Sequence, residues 1–202
     1  GDLDGDGDTD AFVANNGANA VYFGNGSGTF TDSGQSLGSS GAKAVTLADV
    51  DADGDLDAFV VNYNNQANRI WINNGSGSFS NSGQALGSAA STDVASGDVD
   101  ADGDMDAFVT NSGSAPNVLY TNDGTGTFSS SQTLGSASSA GVSLADVDGD
   151  NDLDALVANG GANILYTNNG SGSFSHSQSM GSASSTRALL GDLDADGDRD
   201  IF

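Results

Sequence analysis

The chain has 202 residues, a formal charge of −24 and a sequence pI near 4.1, and its four Lys and Arg are too few to offset phosphate repulsion from nucleic acid or an anionic membrane surface. Cysteine is absent, which excludes a disulfide framework and thiolate metal sites, and no apolar run approaches the roughly 18 residues of a membrane span. All 28 acids are Asp, and Leu, Ile, Val and Phe together form about a fifth of the chain, close to the composition of a disordered acidic polymer.

The acids are concentrated. Twenty-five of the 28 fall in five nine-residue motifs: DLDGDGDTD (2–10), DVDADGDLD (49–57), DVDADGDMD (98–106), DVDGDNDLD (146–154) and DLDADGDRD (192–200). Their first aspartates lie 47, 49, 48 and 46 positions apart, so the chain reads as an internal repeat before it reads as anything else. The first motif leads directly into a β-rich segment, DAFVAN (10–15), then NAVYF (19–23), an Asn25-Gly26 turn and a short segment carrying Phe30. The second unit adds an apolar stretch ahead of its motif, AVTLADV (44–50), followed by DAFVVN (57–62), NRIWI (68–72), Asn74-Gly75 and Phe79. The third repeats this with DVASGDV (93–99), DAFVTN (106–111), NVLYT (117–121), Asp123-Gly124 and Phe128. The fourth has GVSLADV (141–147), DALVAN (154–159), NILYT (163–167), Asn169-Gly170 and Phe174, and RALLGDL (187–193) opens a fifth.

Segments of four to six residues between Gly, Asn and Ser clusters predict strands, and no segment sustains a helical period. The Asn-Gly and Asp-Gly dipeptides predict type I′ hairpin turns. Each unit of 46–49 residues therefore predicts four strands in a meander, a sheet that cannot bury both faces alone and must stack on its neighbours. The expectation is an all-β fold, a β-propeller of four-stranded antiparallel blades, with four full repeats and a partial fifth in one repeat domain over 1–202. Residues 191–202 restate residues 1–12, which reads as a piece of a larger propeller of six to eight blades rather than a closed ring of four. In a closed ring, RALLG (187–191) would pair beside DAFVA (10–14).

In a meander the motif and the Asn-Gly turn share one end of each blade. The longer, variable connections, Tyr63-Asn64-Asn65-Gln66 and Ser112-Gly113-Ser114-Ala115-Pro116, fall at the other. Variable loops on a rigid scaffold are where recognition tends to reside, so Tyr63, Asn64, Asn65, Gln66 and Arg69 are the candidate ligand-binding residues. Trp71, Tyr22, Tyr120 and Tyr166 recur at one strand position and read as core between blades. His176, the one histidine, aligns with Asp32, Asn81 and Ser130 and reads as a polar surface position; Lys43, Arg187 and Arg199 read as solvated charges.

The motif itself points to calcium, which takes six to eight oxygen ligands, many of them carboxylates. Asp at positions 1, 3 and 5 lets alternate side chains converge, Gly at position 6 permits the bend, position 7 offers its carbonyl, and Asp at position 9 closes the shell. The candidate metal residues are Asp2, Asp4, Asp6, Asp8 and Asp10; Asp49, Asp51, Asp53, Asp55 and Asp57; and Asp98, Asp100, Asp102, Asp104 and Asp106. They continue with Asp146, Asp148, Asp150, Asp152 and Asp154, where Asn151 takes the bend, and with Asp192, Asp194, Asp196, Asp198 and Asp200. One ion per motif, up to five, would bring the charge to about −14 and make metal a condition of folding.

DxDxDGDxD followed at once by a strand, then NRIWINNGSGSF (68–79) and its equivalents, resembles the FG-GAP and VCBS repeat family, which builds the propellers of integrin α-chains and of many secreted bacterial proteins. The resemblance runs over the whole chain. It implies calcium held by side chains at positions 1, 3, 5 and 9 and the carbonyl at 7, and an extracellular or cell-surface location. The resulting expectation is a non-catalytic calcium-binding module that meets an extracellular glycan or protein, without membrane insertion. Two alternatives stand beside it: the propeller of a secreted polysaccharide-degrading enzyme, and a self-associating, filament-forming repeat array.

Overall fold

The computed structural model describes residues 1–193 and 199–201; Asp194, Asp196 and Asp198 of the fifth motif lie outside them. Among the described residues the fold is all-β, with no helix and hence none long and apolar enough to cross a membrane. The first unit holds β1 (Ala11–Val13), β2 (Ala20–Gly24) and β3 (Phe30–Asp32), and the second β4 (Ala42–Ala48), β5 (Asp57–Asn62), β6 (Arg69–Asn73) and β7 (Phe79–Asn81). The third comprises β8 (Ser91–Gly97), β9 (Asp106–Asn111), β10 (Asn117–Asn122) and β11 (Phe128–Leu134). The fourth comprises β12 (Ser139–Ala145), β13 (Asp154–Asn159), β14 (Asn163–Thr167) and β15 (Ser175–Met180), and β16 (Leu190–Gly191) and β17 (Asp200–Ile201) begin a fifth. Every sheet is an antiparallel meander in chain order, as the repeat predicts.

The hydrophobic pattern shows why these sheets do not stand alone. β5, β9 and β13 are buried along their whole length, and their alternating side chains enter two different cores. Ala58 and Val60 face back onto Leu3, Phe12 and Val21 of the first unit, while Phe59 and Val61 face forward onto Val109, Tyr120 and Phe128 of the third. The same division recurs between the third and fourth units, where Phe108 meets Val157, Tyr166 and Phe174. At each junction the strand-4 Phe sits edge-on to the strand-2 Phe of the preceding unit, with ring centroids 5.3 Å (Phe12–Phe79), 5.2 Å (Phe59–Phe128) and 5.6 Å (Phe108–Phe174) apart. Phe30, at the same place in the first unit, is 50% exposed.

The strands ahead of the motifs, β4, β8, β12 and β16, lie side by side at the inner edge. They wind about an axis tightly enough for Arg187 to reach the Asp93 carboxylate at 3.7 Å across Gly141, two units away along the chain. The arrangement is propeller-like and open. β1 has β2 as its partner at the edge of a three-stranded sheet, and β16 pairs with β17 (Leu190↔Ile201, Gly191↔Asp200), not with the DAFVA segment.

The hairpin turns differ from the sequence expectation. Type I′ requires positive φ at both central residues, yet only the glycines adopt it: Gly26 and Gly28, Gly75 and Gly77, Gly124 and Gly126, Gly170 and Gly172. The connection is a loop closed by a side chain, with five residues between the strands in the first three units. Asn25 Oδ1 accepts hydrogen bonds from the Ser27 amide, the Ser27 hydroxyl and the Thr29 amide, and Asn74, Asp123 and Asn169 do the same in their units. An Asx turn of this kind needs only the glycines in left-handed conformation.

Replacing Phe59 by Ala should lower the unfolding free energy by about 3–5 kcal/mol, because it empties a shared core. Phe30→Ala should stay within about 0.5 kcal/mol of the parent. Urea denaturation of both variants checks this, and equal losses would contradict the shared-core account.

Candidate metal centres and a pocket on the opposite face

The second, third and fourth motifs are the turns from strand 1 to strand 2 and the first leads into β1; in these four the first and last aspartates organise the loop. Asp2 accepts hydrogen bonds from the Gly5 and Gly7 amides at 2.8 and 3.0 Å, curling the loop around its carboxylate. Asp49 accepts from Asp53 and Gly54, Asp98 from Gly103, and Asp146 from Gly149 and Asn151. Position 9 is buried and ties the loop to the sheet. Asp57, fully buried, accepts one amide from Val50 at 3.0 Å and another from Asn73 at 2.8 Å. Asp10, Asp106 and Asp154 repeat this, each bridging motif position 2 and the end of strand 3.

The curl requires two left-handed residues, not one. Position 6 is left-handed as expected (Gly7, Gly54, Gly103, Asn151), and so is position 4: Gly5, Ala52, Ala101 and Gly149, with φ of 62° at both alanines. An L-residue there carries roughly 1–2 kcal/mol of strain. The trace of this requirement in the sequence is that position 4 admits only Gly or Ala.

The result is carboxylate convergence. Oxygens of Asp2, Asp4 and Asp6, of Asp49, Asp51 and Asp53, of Asp98, Asp100 and Asp106, and of Asp146, Asp148 and Asp154 each come within 4.8 Å of one another. Asp51 Oδ1, Asp98 Oδ1 and Asp100 Oδ1 are buried with no hydrogen-bond partner. Buried, unpaired carboxylate oxygens are unfavourable unless a cation meets them, so these residues fit a hard divalent ion and the clusters could hold one. Burial raises the carboxyls of Asp4, Asp51, Asp100 and Asp148 above the usual carboxylate range, with neighbouring motif aspartates adding to the effect. Burial pushes Asp57 and Asp106 up to about 6, against the opposing effect of their two backbone hydrogen bonds. The position-7 side chains of Asp8, Asp55, Asp104 and Asp152 stay outside the clusters and lie against Gly26, Gly75, Gly124 and Gly170, where any Cβ would collide with the carboxylate. That contact puts the Asn-Gly turns and the motifs at one end of each sheet.

The 2–3 loops and the connections between units meet at the other end. The Tyr63 amide donates to the Gly41 carbonyl at 2.8 Å, and Gln66 Oε1 accepts from the Gly41 amide at 2.7 Å. Asn64 and Asn65 both adopt left-handed backbone, which sets the loop's tight bend. Between the first two units an open pocket of about 220 Å³ is lined by Asn16, Gly41, Ala42, Lys43, Tyr63 and Asn64. Of the residues predicted for ligand contact, Tyr63 and Asn64 line it. Gln66 clamps the Gly41 backbone instead, and Arg69 donates to the Gln84 carbonyl at 2.9 Å, just past the last strand of its own unit. Asn65 adjoins the pocket without lining it. Sequence reading missed Asn16 and Lys43, which come from another unit's loop and from an inner strand; their signal lay in the topology, which puts 2–3 loops and strand-1 beginnings at one end.

His176 lies exposed on β15, its ring bonded to the Ser179 hydroxyl and edge-on to Tyr166. Trp71, Tyr120 and Tyr166 are buried at the junctions as expected, and Tyr22 is half-buried in the first unit.

A family model described as FG-GAP-like repeat matches residues 2–60, 49–109, 98–157 and 146–202, which together take in nearly the whole chain. No curated protein matches it. Among solved structures, one of an Agrocybe aegerita lectin, described as specifically recognising non-reducing terminal N-acetylglucosamine, is similar at 20% identity and a TM-score of 0.57. The similarity covers 90% of this chain and 50% of the lectin, so the chain spans about half the length of that relative.

The acid positions generate a pH test. Between about pH 4 and 6 the folded state binds more protons at Asp57 and Asp106 than the unfolded chain does, so stability falls as pH rises through 6. In chelator, the melting temperature should be higher at pH 5 than at pH 7.5. A divalent ion that requires ionised carboxylates should reverse the order.

Proposed function

Because this chain belongs to the FG-GAP-like repeat family, we propose that it is a non-catalytic, calcium-binding module that recognises a glycan through the face opposite its acidic loops. The observation that carries the recognition half is the pocket between the first two units. Tyr63, 41% exposed, presents an aromatic face suited to the apolar side of a sugar ring, and Asn16 and Asn64 bring amides suited to its hydroxyls. The fold shared with a glycan-recognising lectin supports the same reading. Rigid loops suit this task, because an ordered site loses little entropy on binding.

Calcium is the ion of choice for the clusters. It accepts many carboxylate ligands in a flexible shell, whereas magnesium demands tight octahedral geometry. The residues that would hold it are positions 1, 3, 5 and 9 of each motif, Asp49, Asp51, Asp53 and Asp57 in the second, with the Asp55 carbonyl. When bound, the ion supplies charge neutralisation. This chain's own residues do the rest: Asp57 fixes the loop to β5 and β6, and the left-handed Ala52 and Gly54 aim the carboxylates inward. Affinities of about 10⁻⁴ to 10⁻³ M, those of extracellular modules, keep such sites filled only outside the cell or at its surface. A polysaccharide-degrading activity would need a base and a charge-stabilising group converging in a pocket. His176, bonded to Ser179 on an outer strand, stands in a different unit from the pocket.

Calcium at about 100 times its Kd should stabilise the fold by about 2.7 kcal/mol per occupied site. Asp51→Asn should lose one site in a calorimetric titration. Identical melting curves in chelator and in millimolar calcium would sink the metal half of the proposal. On a glycan array, Tyr63→Ala should abolish binding while leaving the circular dichroism spectrum unchanged; binding that survives the substitution would move the site elsewhere.

A further inference from the structure

Three junctions between units share one backbone hydrogen bond at the end away from the motifs. The first residue of each 2–3 loop donates its amide to the residue just ahead of the inner strand: Tyr63 to Gly41, Ser112 to Ala90 and Gly160 to Ser138. At the two later positions a side chain fills the space, and the Ser138 hydroxyl accepts from the Gly113 amide at 3.1 Å. Gly41 fills nothing, although its φ lies outside the left-handed region and its backbone makes no demand for glycine. A Cβ there would stand 3.3 Å from Asn16 Oδ1, 3.5 Å from Gln66 Oε1 and 3.6 Å from Asn64 Nδ2. Glycine lets a ligand come close to backbone, and here the approach runs between an amide acceptor and an amide donor.

A second difference lies two residues on. The inner strands are bulged between Ala42 and Ala44, between Ser91 and Asp93, and between Ser139 and Gly141, so the extra residues are Lys43, Thr92 and Ala140. A bulge re-aims a side chain. Thr92 is used within the fold, its hydroxyl 3.0 Å from that of Thr110 and bonded to the Ser139 carbonyl. Lys43 lines the pocket, exposed, and forms no ion pair among the described residues. No carboxylate stands with it among the lining residues. Of the three aspartates outside the motifs, Asp93 faces Arg187, Asp123 closes its own 3–4 turn and Asp32 accepts the Gly34 amide.

Resting on the reading of this pocket as a glycan site, we propose that it selects a sugar ring bearing one anionic group, with Lys43 as the counter-ion. Tyr63 covers the apolar side of the ring, and the space at Gly41 receives a hydroxyl between Asn16 and Asn64. Lys43 donates to the anion in a charge-assisted hydrogen bond, which a uronate carboxylate and a sulfate ester accept alike. The volume of about 220 Å³ is below the roughly 300–1,000 Å³ of drug-sized sites, so the fit is to a single ring. A long polyanion would be repelled by the charge of −24, which points to one acidic sugar at the end of a glycan.

Ligand-observed NMR titration of the full chain tests this, with glucose, galactose and mannose each matched against its uronate and its 6-sulfate. In about 50 mM salt an anionic form should bind about fivefold tighter than its neutral match, and the preference should shrink in about 0.5 M salt. Lys43→Met should erase the preference and Lys43→Arg should keep it, both with an unchanged melting temperature. Gly41→Ala, which installs the side chain that Ala90 carries at the equivalent place, should weaken neutral and anionic sugars alike. A parent chain that binds neutral and anionic forms equally overturns the proposal, as does a Lys43→Met variant that retains the preference. In either case, neutral-sugar binding that Tyr63→Ala abolishes leaves the glycan site itself standing. A parent that binds none of these sugars overturns the proposal too, while the glycan array reads the site independently.

Discussion

A buried carboxylate at the end of each acidic loop holds the molecule's two parts together. Asp57 accepts one amide from the loop and one from the end of strand 3, at a site sealed from water. Without it, five carboxylates in nine residues would repel one another into an extended, solvated turn. With it, the loop is pinned to the sheet at both ends, and oxygens of Asp49, Asp51 and Asp53 are brought within 4.8 Å of one another, where they could hold a cation. Hydrogen bonds to a charged acceptor are among the stronger ones available to a protein, and here they act against desolvation that pushes the same carboxyl up to about 6. Pinning and the convergence of carboxylates that could hold a metal therefore have one origin.

Stability beyond the loop is held between units, since no sheet has a core of its own. Each central strand sends small side chains backward and a Phe forward, so a unit completes its neighbour's core before its own is complete. This is the near-neighbour logic of a repeat protein.

The two ends of each sheet differ in their chemistry. The motif end of each sheet is crowded with carboxylates and turn glycines packed so closely that a Cβ would collide with an aspartate. The opposite end is where the loops vary, where left-handed Asn64 and Asn65 bend the chain, and where a pocket opens between units. Charge is gathered at one end and the pocket's amides and aromatic stand at the other, which explains how a chain of −24 can offer such a surface.

The repeat period, the four-strand meander, the placement of the motif on the 1–2 turn and the inward aromatics were all legible in the sequence, because each is set by local alternation of apolar and polar residues and by glycine at obligatory bends. The convergence of Asp98 and Asp100 was legible for the same reason: alternate residues of a tight loop point one way. Other features were decided only by the tertiary structure. The Asn-Gly turns became Asx loops because Asn25 and its equivalents find three donors within their own loop, which no dipeptide rule contains. Ala52 is held left-handed by the hydrogen bonds of the whole curl, against its own preference. The roles of Gln84, Gln66 and Lys43 depend on groups about 25 to 44 residues away or on another unit's loop, brought near by the stacking of sheets. Short-range chemistry determined the unit, and the burial of one unit against the next decided which of its side chains pack between units, which bond to a neighbouring unit and which line the pocket.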